Sequence, residues 1–270
     1  MMSPTASPQS TSADPTLRVQ TLGGFRVWRN GEEIPAKAWN REKALHLFQF
    51  LLTVRQQALR LHKELIIDLL WPEFDGDKGD RDFKVALNAL NNALEPERKP
   101  RTEPFFVHRQ ELAYGLNLDA MTIDADEFEA AVAAGNQALT VDDAVAVSCF
   151  QKALALYQGD YLPERRYEDW SSAERERLQV LALNTMTTLA RLLLATTPQE
   201  SIRLTERVLR IDPIWEDAYR LQMRAYYAQG NRPMAIRVYQ RCVATLEQEL
   251  AIPPLPQTTQ LYAEIRQGNG

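Results

Sequence analysis

Cysteine is scarce in this 270-residue chain, with only Cys149 and Cys242. Both sit in apolar, helical-looking contexts, where a free thiol behaves as a small hydrophobe. That excludes a disulfide framework and favours a cytoplasmic compartment. The three histidines, His46, His62 and His108, lack metal spacing with one another or with either cysteine, so no zinc site is read. Neither Gly-rich phosphate-loop pattern occurs among the 11 glycines, and no nucleophile elbow brings Ser, His and Asp together. The chain is therefore read as a non-enzyme without a metal or cofactor. Long apolar runs are missing too: the longest, Ala44 to Val54 and Leu65 to Trp71, fall short of the roughly 20 residues a spanning helix needs. Basic charge is not in excess, since 31 Lys and Arg face 36 Asp and Glu for a net charge of −5. Nothing pulls the whole molecule toward nucleic acid, so DNA binding must come from a local patch.

What is present is 45% hydrophobic residues and 25% charged, the balance of an ordinary globular chain long enough for two domains. Residues 1–16 hold four Ser, three Thr and three Pro with no basic residue. They lack the charged and apolar regions of a secretory signal and read as a disordered leader. Leu17 to Pro35 alternates apolar and polar residues around Gly23-Gly24 and Asn30-Gly31, the second a type I′ hairpin signal. Helical spacing follows over Arg41 to Val54, Lys63 to Trp71 and Arg81 to Leu94, the last two stopped by Pro72 and Pro96. Phe105 to Leu118 reads as two short strands around a polar turn at His108 to Glu111. After Asp119 strands are expected to vanish, leaving helices broken at Leu139-Thr140, Gly159 to Trp170 and near Pro198, Pro213, Gly230 and Pro253 to Pro256. Charge shifts at the same place: residues 17–118 carry 16 Lys and Arg against 14 Asp and Glu, residues 119–270 carry 15 against 21. Two domains are thus expected, at 17–119 and 120–270. In the second, Ser201, Thr205 and Val208 are repeated 34 residues later by Ala235, Tyr239 and Cys242, and Ala146, Phe150 and Ala153 share the spacing. A 34-residue period with small residues at these places is a tetratricopeptide-like signature, which a generic helical bundle could also produce.

Several dispersed stretches carry a family resemblance: LGGFRVWRNGEEIP at Leu22 to Pro35, REKALHLFQFLL at Arg41 to Leu52, LLWPE at Leu69 to Glu73, VALNALNNALEP at Val85 to Pro96, YQGDYLPERRYEDWSSAERERL at Tyr157 to Leu178, and the run from Ile211 to Pro254. In this order they resemble the bacterial transcriptional activator domain (BTAD) regulators related to the Streptomyces antibiotic regulatory proteins. The resemblance implies a mainly α (α+β) fold, with an OmpR-type winged helix of small antiparallel sheets followed by an all-α tetratricopeptide-like domain, and a role in transcription regulation with DNA and a partner regulator as binding partners. It places DNA contacts on the third helix and the hairpin. With Phe83, Leu87, Leu90 and Leu94 as the buried stripe, Lys84, Asn88, Asn91 and Asn92 are expected to face outward, with Arg81, His108 and Arg109 near the phosphates. The chain departs from the family in having Asn88, Ala89, Asn91 and Asn92 where its members usually carry several arginines. Asn can read adenine but neutralises no phosphate, and the charges from Asp80 to Leu94 sum to zero, so DNA binding is expected to be weakened. The same residues also suit a domain that no longer binds DNA.

That alternative is a receptor or adaptor controlling a partner transcription factor, with a cyclic dinucleotide such as c-di-GMP as a possible ligand. Arginine grips phosphate and the guanine edge while an aromatic stacks on the base. Its candidate residues are Arg165, Arg166 and Tyr167, the exposed pair Arg220 and Arg224, and Trp28 with Arg29 on the first sheet. In the family the segment around Trp170 packs helical pairs together with the tryptophan buried, which gives the same arginines a structural reading. No receiver or ATPase module is visible within the chain, so any input is expected to reach these domains directly.

Overall fold

The computed structural model describes residues 15–73 and 76–268. The expected leader at 1–16 lies almost wholly outside them. Two compact units form: one from the chain up to Asp124 together with Leu162–Ala173, the other from Ala125–Tyr161 and from Glu174 onward.

In the first unit, β1 (Leu17–Gln20), β2 (Arg26–Arg29) and β3 (Glu32–Glu33) form an antiparallel meander. Asn30 and Gly31 both take positive φ, at 49° and 87°, as the type I′ turn between β2 and β3 requires. Three helices follow, α1 (Glu42–Val54), α2 (Lys63–Leu70) and α3 (Gly76–Leu94), with β4 (Leu61–His62) ahead of α2. The wing hairpin is β5 (Val107–Gln110) and β6 (Ala113–Leu116), and it makes a second sheet in the order β4-β6-β5. The turn falls at Glu111, whose φ is +55°, so His108 stands inside β5 and not in the turn expected from sequence. Strands also do not end at Asp119. β7 (Met121–Ile123) pairs in parallel with β1 and gives the first sheet the order β3-β2-β1-β7.

α1 is the central helix, and its Leu47, Phe48, Phe50 and Leu52 are fully buried, as helices hydrophobic on most sides must be. Phe48 stacks on Trp39 at 5.8 Å and meets Phe25 edge-on at 6.0 Å. α3 starts earlier than its apolar pattern, at Gly76, and packs against α1 with Phe83, Ala86, Leu90 and Leu94 at 1% exposure or less. Phe83 also meets Tyr114 of the wing edge-on at 4.9 Å. Each such side chain contributes about 1.5–3 kcal/mol by burial.

The second unit is all helical beyond Ala125: α4 (Asp124–Ala138), α5 (Asp143–Leu156), α6 (Asp169–Leu193), α7 (Pro198–Ile211), α8 (Glu216–Ala228), α9 (Arg232–Leu250) and α10 (Pro256–Gln267). Neighbours in sequence pack as antiparallel hairpins from α7 through α10. The repeated positions hold: Ser201, Ala235 and Ala146 are fully buried at the first, Val208, Cys242 and Ala153 at the third. The middle position varies, being Thr205 in one repeat, buried Phe150 in another, and half-buried Tyr239 stacked on Tyr262 at 4.0 Å in the third. Phe150 explains Gly135 on α4. A Cβ there would lie 2.4 Å from the Phe150 ring, so only glycine lets the two helices close.

Gly135→Ala should therefore destabilise the protein, although alanine is the better helix former by about 1 kcal/mol. Phe150→Ala should cost about 3–5 kcal/mol. Denaturant unfolding of the two single variants and the double checks the contact: with the ring gone, the alanine at 135 should turn neutral or stabilising. Additive losses would show that the two sites do not touch.

Candidate nucleic-acid interface

α3 exists because apolar residues recur along it at intervals of three and four, and the same periodicity leaves a polar face. Arg81, Lys84, Val85, Asn88 and Asn92 are exposed, with Leu87 and Ala89 half-buried. Asn91 contradicts the outward placement expected for it. It is only 5% exposed, and its Oδ1 finds no hydrogen bond among the described residues. The buried stripe runs through Ala86 instead of Leu87, which turns the helix enough to carry Asn91 inward. The outward row is Arg81, Val85, Asn88 and Asn92.

A groove opens on each side of this row. One, of about 460 Å³, lies toward the turn before α1 and is lined by Asn40, Arg41, Lys84, Val85, Asn88, Ala89 and Asn92. The other, of about 470 Å³, lies toward the wing and brings Lys84 and Asn88 together with Lys63, Arg98 and Arg109. Sequence reasoning did not place Arg41 or Val85 here, because Arg41 lies ahead of α1, far in sequence from the third helix, and an apolar Val85 gives no polar signal. Arg109 donates to the Glu111 carbonyl at 2.7 Å and sits 5.9 Å over the Tyr114 ring, which fixes a guanidinium on the wing. His108 is half-buried in β5.

The zero charge counted along α3 alone does not describe this face. Lys63 of α2 donates to both oxygens of Asp80 at 2.7 Å, and Lys43 of α1 donates to Asp82 at 2.5 Å. These hydrogen bonds hold both carboxyls below the ordinary aspartate range. With their partners counted, the two acids face four basic groups, Arg81, Lys84, Lys43 and Lys63. Two further contacts set the helix in place. Arg29 donates to the carbonyls of Ala93 and Leu94 at 3.1 and 3.3 Å, a cation at the negative end of the helix dipole. Glu95 accepts from the backbone N–H groups of Phe105 and Phe106, which ties the end of α3 to the start of the wing.

Several of the residues considered for a nucleotide ligand are engaged within the protein, and the others are exposed. Arg165 is 9% exposed; its Nε donates to Gln49 at 2.7 Å and its guanidinium pairs with Glu42 at 3.4 Å. Gln49 is fully buried and donates in turn to Glu164. His46 lies in the same cluster, its Nε2 buried, unbonded and 3.9 Å from Glu168. Trp170, buried on the resemblance, is half-buried, with its ring edge-on to Phe50 of α1 at 5.8 Å. Arg166 and Tyr167 are exposed, the tyrosine at 95%. Trp28 has the guanidinium groups of Arg18 and Arg26 at 5.8 and 4.9 Å. Arg220 is not the exposed residue expected from sequence: it pairs with Asp217 and Glu216 and donates to Thr258. Arg224 is exposed, on an apolar groove with Tyr227 and Ile265. Arg29 and Arg224 each line a pocket that contains none of the other six. Among the described residues no His, Cys, Asp and Glu group could hold a metal, and no helix is long and apolar enough to cross a membrane.

A winged helix with an exposed third helix, followed by stacked helical hairpins, is the class of protein that this geometry defines. Residues 123–266 match the bacterial transcriptional activator domain, more than half of the chain, and the chain belongs to that family. No curated protein matches it. Among solved structures it is similar to Mycobacterium tuberculosis EmbR in complex with a low affinity phosphopeptide, with a TM-score of 0.79 and 19% identity over 95% of this chain and 66% of that one. At that identity the likeness is one of fold, and the chain spans just under two thirds of the EmbR chain.

The His46 cluster has a pH consequence. Burial, and then the charge of Arg165, push the imidazole below its ordinary pKa of 6.5. The folded state therefore binds its proton less readily than the unfolded chain. Stability from this group is whole above about pH 6.5 and is lost as pH falls toward the lower folded value. His46→Gln should flatten the decline in denaturant midpoint between about pH 6.5 and pH 5 relative to the parent. Parallel curves for the two proteins would remove His46 from the acid response.

Proposed function

We propose that the chain regulates transcription by placing α3 in the major groove of duplex DNA, with the wing hairpin on the flanking phosphates. The observation that carries this reading is the exposed face of α3, whose Asp80 and Asp82 are already paired by Lys63 and Lys43 while Lys84, Asn88 and Asn92 remain open between two grooves edged by Arg41, Arg98 and Arg109. Phosphate contacts come from Arg41, Arg81, Lys84, Arg98 and Arg109. Five such contacts are few, so the affinity is weaker than that of an arginine-rich recognition helix, as the loss of neutralising charge requires. Asn91 borders the wing-side groove but is only 5% exposed, so no base contact is assigned to it. The helical unit receives the input as a noncovalent partner protein or peptide, a role supported by its stacked hairpins and by Arg224 beside an apolar groove. The DNA reading is preferred to a cyclic dinucleotide receptor because Arg165 and Arg220 would have to leave existing ion pairs to hold a phosphate.

Salt titration tests the reading. Log affinity should fall linearly with log salt with a slope of about −4 to −5. Lys84→Ala should lower the slope by about one and weaken binding equally on all sequences. Asn91→Ala should change stability and leave DNA binding alone. Binding without salt dependence, or a Lys84→Ala slope equal to the parent's, would overturn the assignment of α3.

A further inference from the structure

The outward row of α3 carries a chemical preference that goes beyond DNA binding, and it rests on the placement of α3 proposed above. Arg81, Val85, Asn88 and Asn92 follow one another at intervals of four, three and four, which keeps them on one face. At 1.5 Å rise per residue the row is about 16 Å long, the span of about five base pairs. Val85 is 38% exposed, an isolated aliphatic side chain on a polar face, and it lines the groove toward α1 together with Ala89, Asn88 and Asn92. Val85 stands between Arg81 and Asn88 in the row and is absent from the buried core. In the major groove asparagine and valine have a matched partner: a carboxamide forms a bidentate contact with adenine N6 and N7, and an apolar side chain contacts the thymine C5-methyl group. The strongest reader of guanine, arginine, is present in the row only at Arg81, at its N-terminal end.

We infer that the segment of α3 from Val85 to Asn92 selects A·T base pairs in the major groove, with Asn88 and Asn92 on adenine edges and Val85 with Ala89 against thymine methyl groups. The selectivity is methyl-dependent, which separates it from a preference for the narrow minor groove of A·T tracts, since that groove does not present the methyl group.

The test uses the full chain and duplexes of one length at one salt concentration. The central five base pairs are A·T, G·C, or A·T with every thymine replaced by deoxyuridine. An A·T centre should bind about tenfold or more tightly than a G·C centre, because each bidentate contact discriminates by about that factor. Deoxyuridine should lose a large part of the advantage while the salt slope stays the same. Val85→Ala, a surface change that leaves folding intact, should narrow the difference between the thymine and deoxyuridine duplexes, and the remainder rests on Ala89. Asn88→Ala should reduce the preference for A·T over G·C. Equal affinity for the A·T and G·C duplexes would overturn the inference while leaving DNA binding in place, and so would an A·T preference insensitive to deoxyuridine. Failure to bind any duplex would overturn the docking of α3 and this preference with it.

Discussion

A single buried carboxylate governs how α3 is held. Asp124 accepts hydrogen bonds from the Thr21 backbone N–H at 2.8 Å, the Thr21 hydroxyl at 2.7 Å and the Leu22 N–H at 2.9 Å. The Thr21 carbonyl accepts from Leu162, so three distant pieces of chain meet at one residue with no exposed surface. Deprived of Asp124, two backbone donors and a hydroxyl would be buried unpaired, at a cost of about 1–3 kcal/mol each. The clasp fixes the end of β1. The β1–β2 register then places Arg29 opposite Leu17, and Arg29 grips the last carbonyls of α3. The orientation of the reading face thus depends on a residue 103 positions from Thr21, outside the winged-helix core itself.

Charge on that face is a matter of pairing. The Lys63–Asp80 and Lys43–Asp82 bonds lie near the surface, where an ion pair adds little to stability. Their effect is electrostatic. Two acids that would repel phosphate are screened by cations brought from neighbouring helices, and the open groups left on α3 are the ones that can attract it. The two lysines also orient α3 against α1 and α2, so removing either would disturb geometry and potential together.

Most elements were legible because they carry strong local signals. The Asn30-Gly31 turn needs positive φ at both residues, and the spacing of Phe83, Leu90 and Leu94 admits only a helix. Helical breaks at proline and glycine followed from the same local chemistry. The rest depended on partners far away in sequence. β7 is three residues long and forms only because β1 offers it an edge. Asn91 is buried and Leu87 only half-buried because a stripe through residue 86 and one through residue 87 satisfy the same periodicity, and the choice is made by what α1 and the wing cover. Arg165 carried both a packing and an anion-binding reading in the sequence, and the hydrogen bond to Gln49, 116 positions away, is what makes it structural. The third helix sums to zero charge along the sequence, and what the sum could not show is that Lys43 and Lys63 of other helices pair its Asp82 and Asp80.

On the proposed reading, a sparsely charged α3 changes the balance between affinity and discrimination. Phosphate contacts bind all DNA alike, whereas base contacts favour one site, so Asn and Ala in place of arginines lower non-specific binding more than they lower the specificity ratio. The ratio is what matters against the excess of competing sites in a genome. On the proposed reading, one α3 covers about five base pairs, a sequence that recurs roughly once in a thousand positions and cannot by itself mark a promoter. Further recognition must come from a second DNA-bound element, either another copy of the chain or a partner held by the helical unit. Dependence on a partner then follows from the size and charge of the interface, and the helical unit would control promoter choice by deciding when that second element is present.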